Sequence, residues 1–229
     1  AIGTCEKGEQ WERALSMLKK LQEHVLRPTV ISYSAAIASC KSMGCWQRAL
    51  CTLLEMQGHR LKLNLISHSA TISVCESDLQ WQRAFDILAE MHMLFLEPNV
   101  ISHNALISAC AKGAQWRRAV GFLSDMQEVA MEPNVISHNA ASSACEKGER
   151  WEGALGILTK VQGQSLKPSV ISYSAAISAC KSIEHWQRAL YMLSEMSEHD
   201  LKPNVISYSA TISACEAGLQ WERALGLLA

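Results

Sequence analysis

Tryptophan returns every 35 residues along the whole chain, at Trp11, Trp46, Trp81, Trp116, Trp151, Trp186 and Trp221, with no insertion or deletion between them. Pro28, Pro98, Pro133, Pro168 and Pro203 keep the same period, with Leu63 in the one gap. Ile31, Ile66, Ile101, Ile136, Ile171 and Ile206 keep it too, each followed by Ser. A strict period of this length is the signature of a repeat architecture and excludes an ordinary closed globular core. Taking the Val of "VISYSAA" as the first residue gives full repeats at 30–64, 65–99, 100–134, 135–169 and 170–204. Partial repeats occupy 1–29 and 205–229, so residues 1–229 read as a single array.

Each repeat carries two helical patterns. In 30–64, Tyr33, Ala36, Ile37 and Cys40 fall at i, i+3, i+4 and i+7, one face of a short helix. Ser32 stands where it can cap that helix. A polar turn follows from Lys41 to Cys45, with Gly44 as breaker. Trp46, Ala49, Leu50, Leu53 and Leu54 then mark a second helix, running to Gly58. The "KPN" or "EPN" segment separates one hairpin from the next, because proline disfavours helix in the residue before it. A lone hairpin cannot bury both apolar faces, but a stack of hairpins can. The predicted fold is therefore all-α, a right-handed superhelical α-solenoid of stacked helix-turn-helix repeats. Uncapped ends would leave apolar faces for self-association or protein partners.

Charge narrows the function. The chain has 21 basic and 22 acidic residues and a net charge of -1, so any phosphate contact must come from local placement of cations. No apolar run approaches the ~20 residues of a membrane span, and no membrane association is expected. Both ends fall inside a repeat, so the chain reads as a piece of a longer protein. The nine Cys include a periodic set, Cys5, Cys40, Cys75, Cys110, Cys145, Cys180 and Cys215. Stacked helices sit about 8–10 Å apart, too far for disulfides between equivalent positions, so these thiols should stay reduced. No Gly-rich phosphate loop, zinc-deaminase signature or carboxylate cluster appears. The expectation is no enzyme, no cofactor and no metal.

The opening "VISYS" or "VISHN", the Cys–Glu–Lys–Gly turn, the "RAL" of the second helix, Met56, Met91, Met126 and Met196 near its end, and the closing "LKPN" or "MEPN" together resemble the pentatricopeptide repeat family. The resemblance covers the full chain, and the constant length matches the family's pure 35-residue subclass. Trp stands where the family commonly has Leu. The resemblance implies single-stranded RNA as partner, not DNA, with one base read per repeat. It assigns base reading to the fifth and last residues: Ser34 with Asn64, Ser69 with Asn99, Asn104 with Asn134, Asn139 with Ser169, and Ser174 with Asn204. Ser209 opens a further site, and Thr29 is the orphan half of an earlier one. The second residue, always Ile here (Ile31, Ile66, Ile101, Ile136, Ile171, Ile206), would sandwich the bases. By the family's code Ser–Asn reads adenine, and Asn–Asn and Asn–Ser read pyrimidines favouring cytosine, giving 5′-A-A-(C/U)-C-A-3′. Lys7, Lys112 and Lys147 hold the family's phosphate position. The implied role is transcript processing, stability, editing or translation in a mitochondrion or chloroplast.

Simpler readings stand beside these. Ser and Asn are common helix caps. The Ile column fits core between first helices as well as base packing. The Trp and Cys columns read as core. His68, His103 and His138 share a column with Tyr33, Tyr173 and Tyr208 and read as half-buried aromatics, since neighbouring units cannot converge on a zinc ion with Zn–N distances near ~2.1 Å. The Arg column (Arg13, Arg48, Arg83, Arg118, Arg188, Arg223) reads as solvated or paired with Glu. The alternative functions are a helical-repeat protein scaffold and the RNA-targeting part of an enzyme.

Overall fold

A computed structural model describes residues 11–23, 28–43, 45–59, 61–163, 166–181 and 185–227. Among these residues every regular element is helical. The chain is an all-α solenoid of helical hairpins, and its contacts divide it into two compact units between Gly113 and Ala114.

The first unit holds α1 (Trp11–Glu23), α2 (Val30–Ser39), α3 (Trp46–Gly58), α4 (Leu65–Ser77), α5 (Trp81–Met93) and α6 (Val100–Lys112). A 3-10 turn, Cys40–Met43, follows α2. Here α2 packs on α3 and α4, and α4 packs on α5 and α6. The second unit holds α7 (Trp116–Glu128), α8 (Val135–Lys147), α9 (Trp151–Gly163), α10 (Val170–Ala179), α11 (Trp186–Glu198), α12 (Val205–Ala217) and α13 (Trp221–Gly226). There α8 packs on α9 and α10, and α10 on α11 and α12. In both units a first helix touches its own hairpin partner and the first helix of the next repeat.

The expected face of α2 is the buried one: Tyr33, Ala36, Ile37 and Cys40 are fully enclosed. On α3 the buried stripe is Ala49, Thr52, Leu53 and Met56, and Leu54 is instead 62% exposed. The stripe is turned toward Met56, whose equivalents Met91, Met126 and Met196 are also fully buried. The reason lies in how the helix stops. The N–H of Leu96 reaches back to the Met91 carbonyl at 2.9 Å, Met131 to Met126 at 2.8 Å, and Leu201 to Met196 at 2.9 Å. These six-to-one closures end the helix and fold its last apolar residue under the chain. Phe95, Ala130 and Asp200 supply the left-handed residue the closure requires.

The first helices begin three residues before the position at which Ser32 would cap them. The residue that closes each repeat is the N-cap of the next: Thr29, Asn64, Asn99, Asn134, Ser169 and Asn204. Ser32 is instead the third helical residue, like Ser67, Ser102, Ser137, Ser172 and Ser207. The cap forms there because an Asn side chain in extended backbone can accept an N–H that would otherwise lack a partner.

The Trp column packs between repeats, and the Arg column is not simply solvated. Arg83 lies over the Trp46 ring at 5.8 Å, Arg188 over Trp151 at 3.9 Å and Arg223 over Trp186 at 5.3 Å. An Arg of one hairpin thus stacks on the Trp of the hairpin before it, a contact worth about 0.5–1 kcal/mol near the surface. The His column is also more deeply set than a half-buried aromatic. His68 and His138 are 0% exposed and His103 is 5% exposed, because each ring bonds to the carbonyl of the N-cap Asn beneath it.

Candidate nucleic-acid interface

The N-terminal turns of the first helices bring the candidate residues together. Asn64 Oδ1 accepts the Ser67 N–H at 2.9 Å, Asn99 Oδ1 the Ser102 N–H at 3.0 Å, and Asn204 Oδ1 the Ser207 N–H at 2.9 Å. Ser169 does the same with its hydroxyl, at 3.2 Å from the Ser172 nitrogen. The last residue of the repeat, expected to read a base, is therefore also the helix cap. Capping uses its oxygen, and an Asn amide keeps two N–H donors for another partner.

In the first unit a groove of about 530 Å³ runs across α2, α4 and the start of α6. Ser34, Asn64, Ser69 and Asn99 line it together with Ile31, Ile66 and Ile101. These are the fifth, last and second residues of successive repeats. The Ile column is not core: Ile31 is 80% exposed, and Ile66, Ile101, Ile136, Ile171 and Ile206 are 57% to 65% exposed. An isoleucine of each first helix is thus held in solvent, while Ile37, Ile72, Ile107 and Ile177 on the same helices are buried.

The fifth residues differ in depth. Ser34 and Ser174 are buried, and their hydroxyls have no hydrogen-bond partner. This departs from an open row of fifth-position side chains. Both serines lie on first helices packed against the first helix of the next repeat, α2 on α4 and α10 on α12. Ser69, Asn104 and Asn139 are half-buried, and Ser209 is exposed. Asn139 Oδ1 accepts from the Ser169 hydroxyl at 3.0 Å, so fifth and last residues of that repeat touch. Asn104 belongs to the first unit and Asn134, the cap of α8, to the second.

Among the lysines, Lys7 lies outside the described residues. Lys112 is paired with Glu76, Nζ to Oε1 at 3.1 Å, and Ser108 also donates to that carboxylate at 2.8 Å. Lys147 is exposed. Sequence reasoning passed over Lys41, which lines the groove beside Ile31 and Ser34. It stands one residue earlier in the turn than Lys112 does in its own repeat, and that one-residue offset hid it from the column.

Two further groups bear on chemistry. Cys5 lies outside the described residues; the other periodic thiols, Cys40, Cys75, Cys110, Cys145, Cys180 and Cys215, are buried and free. Burial pushes Cys75 up to about 12 and Cys40, Cys145 and Cys180 to about 11, so these are inert packing groups. His68, His103 and His138 each place Nδ1 3.0 to 3.2 Å from an Asn carbonyl. A carbonyl only accepts, so the neutral ring carries its proton on Nδ1. Among the described residues no group of three or more His, Cys, Asp or Glu is placed to hold a metal ion. No helix among them is long and apolar enough to cross a membrane.

A stack of helical hairpins in each unit, with Ile and polar residues at the first-helix N-termini, defines a helical-repeat protein. A family model described as the pentatricopeptide repeat domain matches residues 52–113, 86–147 and 156–217, and a second, the PPR repeat, matches 31–61. The chain belongs to the pentatricopeptide repeat family. No curated protein matches the sequence. Among solved structures, the pentatricopeptide repeat protein PPR10 from maize is similar over 99% of this chain and 32% of its own, with 21% identity and a TM-score of 0.75. PPR10 in complex with an 18-nt psaJ RNA element is similar over 98% of this chain and 38% of its own, at 18% identity and a TM-score of 0.59. The PPR domain of Arabidopsis thaliana protein-only RNase P 1, in complex with tRNA, is similar over 69% of this chain and 83% of its own, at 15% identity and 0.59. At these identities the likeness is one of fold. The chain spans about a third of the length of the maize protein.

Proposed function

We propose that this chain binds single-stranded RNA, one nucleotide per repeat, and acts by occupying its target and not by catalysis. The observation that carries the reading is the first-unit groove, where exposed Ile31, Ile66 and Ile101 alternate with the polar pairs Ser34–Asn64 and Ser69–Asn99. Large aliphatics held in water at a fixed spacing suit the flat faces of unpaired bases, and small hydroxyls and amides between them suit base edges. Two of the similar folds are seen in complexes with RNA. By the family's code the preferred strand is 5′-A-A-(C/U)-C-A-3′, with its 5′ end toward the first unit. Lys41 and Lys147 are the cations proposed to meet phosphates. The setting proposed is transcript maturation or translation in an organelle.

Fluorescence anisotropy with labelled strands tests this. An AACCA strand should bind at least about tenfold more tightly than a scrambled strand of equal composition. Ile66→Asp should weaken AACCA binding by about tenfold or more, as loss of one stacked base would. Equal, weak binding of every strand, unaffected by Ile66→Asp, would favour a protein-binding scaffold instead.

A further inference from the structure

From the second full repeat on, the third residue is a serine that is almost wholly buried: Ser67, Ser102, Ser137, Ser172 and Ser207 are at most 1% exposed, while Ser32 is half-buried. A helix cap explains part of its use. At Ser102 and Ser172, however, the hydroxyl also reaches the fifth residue of the preceding repeat, and the directions of these bonds fix what that residue can offer a ligand.

In the second unit, Ser172 Oγ accepts the backbone N–H of Ser169 at 3.3 Å, and Ser169 Oγ accepts the backbone N–H of Ser172 at 3.2 Å. Each hydroxyl thus receives a proton from the main chain and has its own proton left to donate. Both are within reach of one atom: Asn139 Oδ1 accepts from Ser172 at 2.6 Å and from Ser169 at 3.0 Å, with the two hydroxyls themselves 3.0 Å apart. Both lone-pair sites of that carbonyl oxygen are then filled. Half-buried Asn139 is left with its NH₂ group, a pure donor.

In the first unit the same serine produces a different result. Asn99 Oδ1 accepts both the N–H and the hydroxyl of Ser102, at 3.0 and 3.1 Å. Ser102 has spent its proton, so in the 2.7 Å contact between Ser69 Oγ and Ser102 Oγ it is Ser69 that donates. Ser69 is left with lone pairs, and Asn99 with its NH₂. One site therefore presents an acceptor beside a donor, and the other presents donors alone.

We propose that Ser102 and Ser172, third residues of their repeats, are positioning residues that set the hydrogen-bond polarity of the preceding base-reading pair. This rests on the RNA reading above and deepens it. An acceptor beside a donor complements the amino group and N1 of adenine. Donors alone complement N3 and O2 of cytosine and leave the N3–H of uracil facing no acceptor. Ser172 thereby makes the Asn139–Ser169 site a cytosine reader that rejects uracil, because the pinned amide cannot turn over to accept that N–H.

The test uses the full 229-residue chain and two labelled strands, AACCA and AACUA, which differ only at the fourth nucleotide. The unmodified chain should prefer cytosine by about tenfold, and Ser172→Ala should reduce the ratio to within about twofold, since an amide that keeps only the longer bond from Ser169 can turn over and pair with either base. Ser172→Thr, which keeps the hydroxyl, should retain the preference. A purely capping role predicts something else: Ser172→Ala would weaken both strands equally and leave their ratio unchanged, and that result overturns the proposal. So does an unmodified chain that binds both strands alike. Failure of the unmodified chain to bind any strand would instead remove the RNA reading on which the proposal stands, and it would be evident before any variant is made.

Discussion

At the scale of single residues, the turns between helices separate two jobs that the sequence runs together. Glycine in the turn reads as a helix breaker, yet Gly113, Gly148 and Gly218 have φ between −80° and −86°. What glycine provides there is clearance: a Cβ on Gly148 or Gly218 would stand 2.4 Å from Cδ1 of Trp116 or Trp186. The left-handed residue is the next one, Ala114, Glu149 or Leu219, with φ from 52° to 56°. It closes the helix, as when the Arg150 N–H reaches the Cys145 carbonyl at 2.8 Å. A side chain in that conformation costs roughly 1–2 kcal/mol, which glycine avoids. Glu149→Gly should therefore stabilise the chain by about 1 kcal/mol, the entropy of the unfolded glycine taking back the rest. Urea denaturation measures it, and a lowered midpoint would mean that the exposed Glu149 side chain contributes more than its backbone costs. The spacing of Trp and Gly was legible. Their contact was not, because it joins residues of successive repeats.

At the scale of the element, the first helix is where sequence reading served least well. Its apolar face, Tyr33 to Cys40, was plain from the periodicity. Its start was not, since Thr29, Ser32 and Ser34 all suit a cap, and only the backbone of the closing residue decides among them. Moving the start by three residues puts the His column directly over the N-cap carbonyls. Tyr173 in that column reaches Gln162 at 3.1 Å. His138 is too short for the equivalent reach, and its Nε2 is buried without a partner. Burial holds the His138 pKa below its ordinary value, against the bond to the Asn134 carbonyl that favours the charged ring, and the Lys160 charge pushes in the same direction as burial. A base depressed in the folded state binds fewer protons than in the unfolded chain, so stability is complete well above the unfolded value, about 6.5, and falls as pH drops through it. Thermal melts at pH 7.5 and 5.5 should show a decline for the unmodified chain. His138→Tyr, with Gln127 placed as Gln162 is for Tyr173, should flatten part of that decline. An identical decline in the variant would assign the acid sensitivity elsewhere.

For the whole molecule, period and composition fix the class of fold before any contact is known: identical units, each with two apolar stripes, can close only on each other. Net charge is the property that most shapes how such a chain would hold RNA. At -1, it has no broad positive field to steer or retain a polyanion. Its candidate phosphate contacts are few, and Lys112 is already committed to Glu76. Affinity must therefore come from the exposed Ile column and the hydrogen-bonding pairs, whose strength depends little on salt. Each phosphate neutralised on a single strand contributes roughly 0.7 to the slope of log K against log salt. Lys41 and Lys147 together then give a slope no steeper than about −1.5. Titrating AACCA binding from low to high potassium chloride measures this slope directly. A value near −4 would require a basic surface outside the groove, and would move the principal RNA contacts away from the first-helix N-termini. A shallow slope combined with a loss on Ile66→Asp would instead be the thermodynamic mark of a chain that holds its strand by the faces and edges of the bases.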